Sequence, residues 1–203
     1  MHRQGRPIWA ALGAAALTLS VTACGGTAEP KVKVTAEPPS HEAETNAGDV
    51  PPEPPYETEL DLSPEEKEAA DEAYDTYVSF VRAEDEVSVD GGEVPERALI
   101  FLRGSLKRVY AEGFKSMSDE GEALISGYTH TFHRVEKVDC RQDGDASVIF
   151  ESCVDFRHAD LLDRRGESLF DKSVTSSLGE VVLRQRDEVW KVVDMDFSGD
   201  ECL

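Results

Sequence analysis

Near residue 123 the spacing of apolar residues changes from three-and-four to two, and this change of period decides which class of fold is open to the chain. Upstream, Ala70, Ala73, Tyr74, Tyr77, Val78 and Val81 form one helical stripe, and Leu99, Leu102, Leu106, Val109, Tyr110 and Phe114 form another. Downstream, "YTHTFHRVEKVDC", "ASVIFESCVDF", "EVVLRQ" and "VWKVVDMDF" are short runs rich in β-branched and aromatic residues, broken by turn residues. Helices first and strands afterwards predict an α+β domain: two or three N-terminal helices packed on a curved antiparallel sheet.

The local signals agree with that reading. Ser63, Pro64 and Glu66 are an N-cap hydroxyl, a proline at the first helical position and a capping-box carboxylate. "EVSVDGGEVPE", residues 86–96, is expected to be a loop, with Pro95 starting one further helix over "ERALIFLRGSLKRVYAEGFKSM". Gly104 in its middle costs about 1 kcal/mol against alanine and is read as marking close backbone packing. Asp143-Gly144 and Asp187 are the turns of two hairpins. Val148, Phe150, Val154 and Phe156 then share a core face, and Glu151 and Asp155 share a solvent face.

The first 62 residues are of a different kind. Residues 1–23 hold Arg3 and Arg6, an apolar run from Ile8 to Val21, and small residues before Cys24, the layout of an export signal. Val21-Thr22-Ala23-Cys24 resembles a bacterial lipobox, which implies lipidation of Cys24, cleavage before it, and a membrane-anchored chain facing the extracellular or cell-wall side. The plainer reading is an ordinary secretory signal with a free cysteine beyond the cut. Residues 24–62, rich in Pro, Glu, Thr and Ala without apolar periodicity, are expected to be a disordered acidic tether on the order of 35 Å end to end. The folded domain is expected over residues 63–203. A formal net charge of −21 without clustered Lys and Arg excludes a nucleic-acid partner.

Two N-terminal helices, a strand ending "VDC", a strand carrying "CVD" and a late "WKV" strand resemble the nuclear-transport-factor-2-like (cystatin-like cone) domains of many actinobacterial lipoproteins of unknown function. The resemblance covers residues 63–203. It implies a strongly bent sheet wrapped round helices with an apolar pocket, in a family whose relatives include isomerases, dehydratases, ligand binders and assembly modules. Fold alone assigns no activity.

Export places the cysteines where disulfides persist. With the first turn at Asp143-Gly144, Cys140 falls opposite Ser147 and Cys153 opposite Arg134. Cys140 and Cys153 are then separated along the strands by nearly 20 Å at about 3.3 Å per residue, out of bonding reach. The second hairpin returns the chain end toward Cys153, so the expected bond is Cys153–Cys202 with Cys140 free. Cys140–Cys153 is the alternative if the turn shifts or the strand bulges.

Candidate chemistry is sparse. His130 and His133, three apart on a strand, are expected on opposite faces and therefore not as a joint metal site. Asp155 and His158 could be a base and its orienter, although Asp155 is placed on the solvent face, which favours a surface carboxylate beside a loop histidine. No cofactor motif is present. The sequence points to a non-catalytic module that binds an apolar small molecule or an envelope partner. The alternative is a small isomerase- or dehydratase-like enzyme using a pocket Asp or His.

Overall fold

The capping signal at Ser63 does what its chemistry demands. In the computed structural model, which describes residues 53–140, 145–197 and 200–202, helix α1 runs Pro64–Val89. Ser63 Oγ accepts from the Glu66 N–H at 3.3 Å, and the Glu66 carboxylate accepts from the Ser63 N–H at 2.8 Å. Two end groups are satisfied reciprocally. Ser63→Ala is expected to cost about 1 kcal/mol, seen as a fall of about 3 °C in Tm; an unchanged midpoint would show that the cap contributes nothing.

α1 continues through the first part of the expected loop, because Val87 and Ser88 extend the buried stripe of Ala73, Tyr77, Phe80, Val81 and Glu84. The turn comes at Gly91 and Gly92, both at positive φ. At Gly92 a Cβ would lie 2.2 Å from the Phe114 carbonyl oxygen, so only glycine fits there.

The single second helix is in fact two, α2 (Glu96–Leu99) and α3 (Gly104–Glu120). Between them the chain bonds to a sheet strand: Arg103 N–H donates to Val192 O at 3.1 Å, and Val192 N–H to Phe101 O at 2.9 Å. Gly104 follows at φ 67°, with nothing within 4 Å of where a Cβ would stand. Its role is conformational, not the close packing the sequence suggested.

The strands are β1 (Tyr56–Glu57), β2 (Ala123–Ser126), β3 (Thr129–Cys140), β4 (Ala146–Asp155), β5 (Asp160–Leu162), β6 (Ser176–Arg186) and β7 (Val189–Phe197). Five form one sheet in the order β1-β3-β4-β6-β7, antiparallel except for the β1–β3 pair, while β2 and β5 form a separate antiparallel pair. The fold is therefore α+β, three helices on a curved, mostly antiparallel sheet. Part of the curvature comes from bulges, which bend and twist a strand. The β3–β4 register shifts between His130 and Phe132 and again between Val135 and Lys137, and the β6–β7 register shifts between Val182 and Leu183. Tyr77, Phe80, Phe114, Phe150, Leu183 and Val192 fill the space between sheet and helices, each at most 1% exposed.

One boundary differs from the sequence reading. The segment 53–62, assigned to the tether, belongs to the domain. Tyr56 pairs with His133 along the edge of β3 and packs its ring on Tyr74 and Phe150, its hydroxyl donates to Asp71, and the Tyr74 hydroxyl donates to Pro54 O. An unpaired strand edge and an aromatic cluster give this short stretch partners that its composition did not reveal. The remainder of that assignment, 24–52, together with the export signal and Cys24, lies outside the described residues.

The disulfide is Cys153–Cys202, with Cα atoms 6.0 Å apart. Cys140 is free and half-buried, and burial, with Glu65, Glu66 and Asp139 nearby, pushes its thiol pKa up. The register is not the one expected. Cys140 sits opposite Ala146 and Cys153 opposite Phe132, because the hairpin closes one residue tighter and the β3 bulge between Val135 and Lys137 adds a further step. Residues 141–144, which hold the predicted Asp143-Gly144 turn, lie outside the described residues.

Candidate functional site

The first β3 bulge also overturns the expectation for His130 and His133. In a regular strand an offset of three separates two side chains to opposite faces; one extra residue in between brings them back to the same face. Here His130 pairs with Val154 and His133 with Ser152, two positions apart on β4, so both rings point inward. Their centroids are 4.9 Å apart, and their side chains are 2% and 0% exposed.

Glu53 lies against both rings. Its Oε2 is 3.0 Å from His130 Nδ1 and 3.1 Å from His133 Nε2. The contact with His133 is a hydrogen bond. The contact with His130 is close but misaligned, and Nδ1 of His130 is left buried without a hydrogen-bond partner. The outer nitrogens are anchored: His130 Nε2 is 3.2 Å from the Tyr77 hydroxyl, and His133 Nδ1 is 3.1 Å from Ser152 Oγ. Tyr74 and Tyr77 stand edge-on to the His133 ring.

Burial opposes ionisation of Glu53 most strongly, but its close polar contacts and charge interactions with the two imidazoles together outweigh burial and hold the carboxyl at about 2. Burial pushes the His133 pKa down, partly offset by Glu53. Burial raises the carboxyl of Asp85, with Glu53 and Glu86 adding to it. An ionised carboxylate between two buried imidazoles can pin its own segment to the sheet, and it offers two nitrogens and one oxygen to a single point. Among the described residues this is the group of His, Cys, Asp or Glu side chains that could hold a metal ion, its ligand atoms all within 4.8 Å of one another.

Asp155 and His158 do not form a working pair. Asp155 is 7% exposed rather than solvent-facing. Its end of β4 is covered by the returning tail, in which Cys202 bonds Cys153 and donates its N–H to Ser176 Oγ, opposite Asp155 in the register. Both Asp155 oxygens are taken by the Arg157 guanidinium, at 2.6 to 3.0 Å, which holds the carboxyl below its usual range. His158 is exposed, and its carbonyl accepts from Ser126 Oγ. A carboxylate doubly bonded to arginine is a poor proton acceptor.

No family model matches the chain, and no curated protein matches it. Similar solved structures include the intermembrane space region of the chloroplast protein ARC6, at 14% identity and a TM-score of 0.43, covering 63% of this chain and 95% of that one. Another is Aln2 from a Streptomyces species, at 13% identity and a TM-score of 0.38, covering 67% of this chain and 93% of that one. Likenesses this distant assign nothing to the chain.

The sequence reading missed Glu53 because proline-rich composition dominated its surroundings. Tyr56, an aromatic three residues further on, was the available signal that the segment packs.

Proposed function

We propose that this is an exported lipoprotein, anchored through Cys24, whose α+β domain is a non-catalytic binding module for a partner in the cell envelope. The observation that carries the binding reading is the filled interior. Tyr77, Phe80, Phe114 and Phe150 occupy the space between helices and sheet where the resemblance implied an apolar pocket. Those side chains stand where a small apolar molecule would have to enter. The described surface offers an open groove of about 580 Å³ beside Tyr56, Leu60, Leu62 and Tyr74. The hold of the Arg157 guanidinium on both Asp155 oxygens favours the same reading over an isomerase or dehydratase. The anchor rests on the layout of residues 1–24, and among the described residues no helix is long and apolar enough to cross a membrane.

The test uses the full chain in a bacterial host supplied with an alkyne-bearing fatty acid. The protein is expected to carry the label and sediment with membranes, and Cys24→Ser to lose the label and leave the membrane fraction. Label and sedimentation unchanged by Cys24→Ser would sink the anchor. For the module, crosslinking in intact cells is expected to give one discrete protein adduct. A small-molecule mass that accompanies the purified chain and leaves on denaturation would overturn the partner reading in favour of a small ligand.

A further inference from the structure

The geometry points to a binding site for one divalent transition-metal ion of the zinc class, held by Glu53, His130 and His133. This does not depend on the anchor or on the partner proposed above. Three features of the site carry it.

The first is convergence. Glu53 Oε2, His130 Nδ1 and His133 Nε2 face one another, with the carboxylate oxygen 3.0 and 3.1 Å from the two nitrogens. Ligand atoms bound to zinc at about 2.0–2.1 Å in a tetrahedron stand roughly 3.3 Å apart. The two oxygen–nitrogen edges are therefore within a few tenths of an ångström of that spacing, and the nitrogen–nitrogen edge is within 4.8 Å. Two nitrogens and one oxygen select a borderline metal over calcium or magnesium, which take oxygen ligands. Three protein ligands leave a coordination position for water or another donor.

The second is the support behind the rings. A metal-bound histidine needs its lone pair on the inner nitrogen and its proton on the outer one, usually donated to a fixed acceptor. The outer acceptors are the Tyr77 hydroxyl for His130 and Ser152 Oγ for His133. Hydroxyls donate or accept, so they support the metal-free tautomers and the metal-bound ones alike. When the ion binds, neutral His133 changes tautomer: Nε2 gives up its proton to solvent and Nδ1 takes one from solvent, donated to Ser152 Oγ.

The third is the orphan. His130 Nδ1 is fully enclosed, 3.0 Å from a carboxylate oxygen, and still makes no hydrogen bond. A buried polar atom without a partner is costly and rare in folded proteins. The ion would be that partner. Entry is through Glu53, the most exposed of the three side chains at 11%, on the short segment ahead of β1.

The full chain is made without a histidine tag, stripped with chelator, and titrated with cobalt(II) and then zinc(II). The expected result is one equivalent of cobalt per chain with the visible absorption of a low-coordinate nitrogen and oxygen site, lost as zinc displaces it. Glu53→Gln and His130→Asn should each abolish the band. Tyr77→Phe, which keeps the ring and removes one supporting oxygen, should weaken binding roughly 10- to 100-fold. Circular dichroism confirms that each variant is folded; should His130→Asn fail to fold, Glu53→Gln, on its peripheral segment, decides alone. No cobalt band in the parent chain, or a band unchanged in Glu53→Gln, would overturn the site.

Discussion

Reduction of the Cys153–Cys202 bond, or Cys202→Ser, is expected to lower the unfolding midpoint by about 10 °C. The bond joins residues 49 apart, and closing a loop of that length in the unfolded chain is worth about 4 kcal/mol in the chain-entropy account. For a domain of this size each kcal/mol moves the midpoint by roughly 2–4 °C. Cys202→Ser is the cleaner change, since Cys153 is fully enclosed and a serine there would add a buried hydroxyl. Hydrogen bonds also tie the described residues of the tail to β6: Cys202 N–H donates to Ser176 Oγ at 3.1 Å, and Leu178 N–H donates to Asp200 O at 2.9 Å. Amide exchange at Leu178 should therefore accelerate in the variant along with the drop in midpoint. Cys140 cannot rescue the bond, because it pairs with Ala146 at the far end of β4. Equal midpoints for oxidised and reduced protein, measured by calorimetry, would show that the staple constrains nothing.

The staple was legible in the sequence for a reason that also explains what was not. Its prediction needed only strand lengths and the position of the Asp187 turn. That turn is real: Asp187 and Glu188 take φ of 53° and 60°, and Arg186 pairs with Val189 across it. A register error of one or two residues, which did occur on the first hairpin, leaves a separation of nearly 20 Å too long to bond. Face assignments have no such tolerance, because a single inserted residue reverses every side chain beyond it. Val148 and Phe150, on regular β4, fell on the core face as expected, whereas His130 and His133, expected on opposite faces but on either side of a bulge, share the inner one. Nothing in "THTFH" marks the bulge, since it answers to the bend of the sheet over α1 rather than to local propensity. Asp155 was misplaced by a different long-range effect, the tail that covers its end of β4. Glu53 was lost because composition describes an average, and the two residues of β1 are too few to change it.

Glu84→Gln is expected to stabilise the protein increasingly as the pH rises from about 5 to 8. Glu84 lies on the buried stripe of α1 at 6% exposure, and its Oε2 has no hydrogen-bond partner. Burial, with Asp85 adding to it, pushes its carboxyl up to about 8. Tyr77 and Tyr110, whose own hydroxyls it helps to hold neutral, are its other titratable neighbours. The folded chain therefore keeps this proton while the unfolded chain, with an ordinary glutamate near 4.5, gives it up. Below about pH 4.5 both states are protonated and the carboxyl costs nothing. Between there and about 8 the folded state holds more protons than the unfolded one, so stability falls with rising pH. At about 1.4 kcal/mol per pKa unit the loss reaches several kcal/mol near pH 8. Glutamine keeps the shape and cannot ionise, so the two proteins should differ little at pH 5 and diverge steadily above it. Other carboxylates titrate in both, and the difference between parent and variant removes them. Urea unfolding at pH 5, 6.5 and 8 measures that difference directly. A constant difference across the series would mean that Glu84 is ionised inside the fold, with a counter-charge that burial alone does not supply.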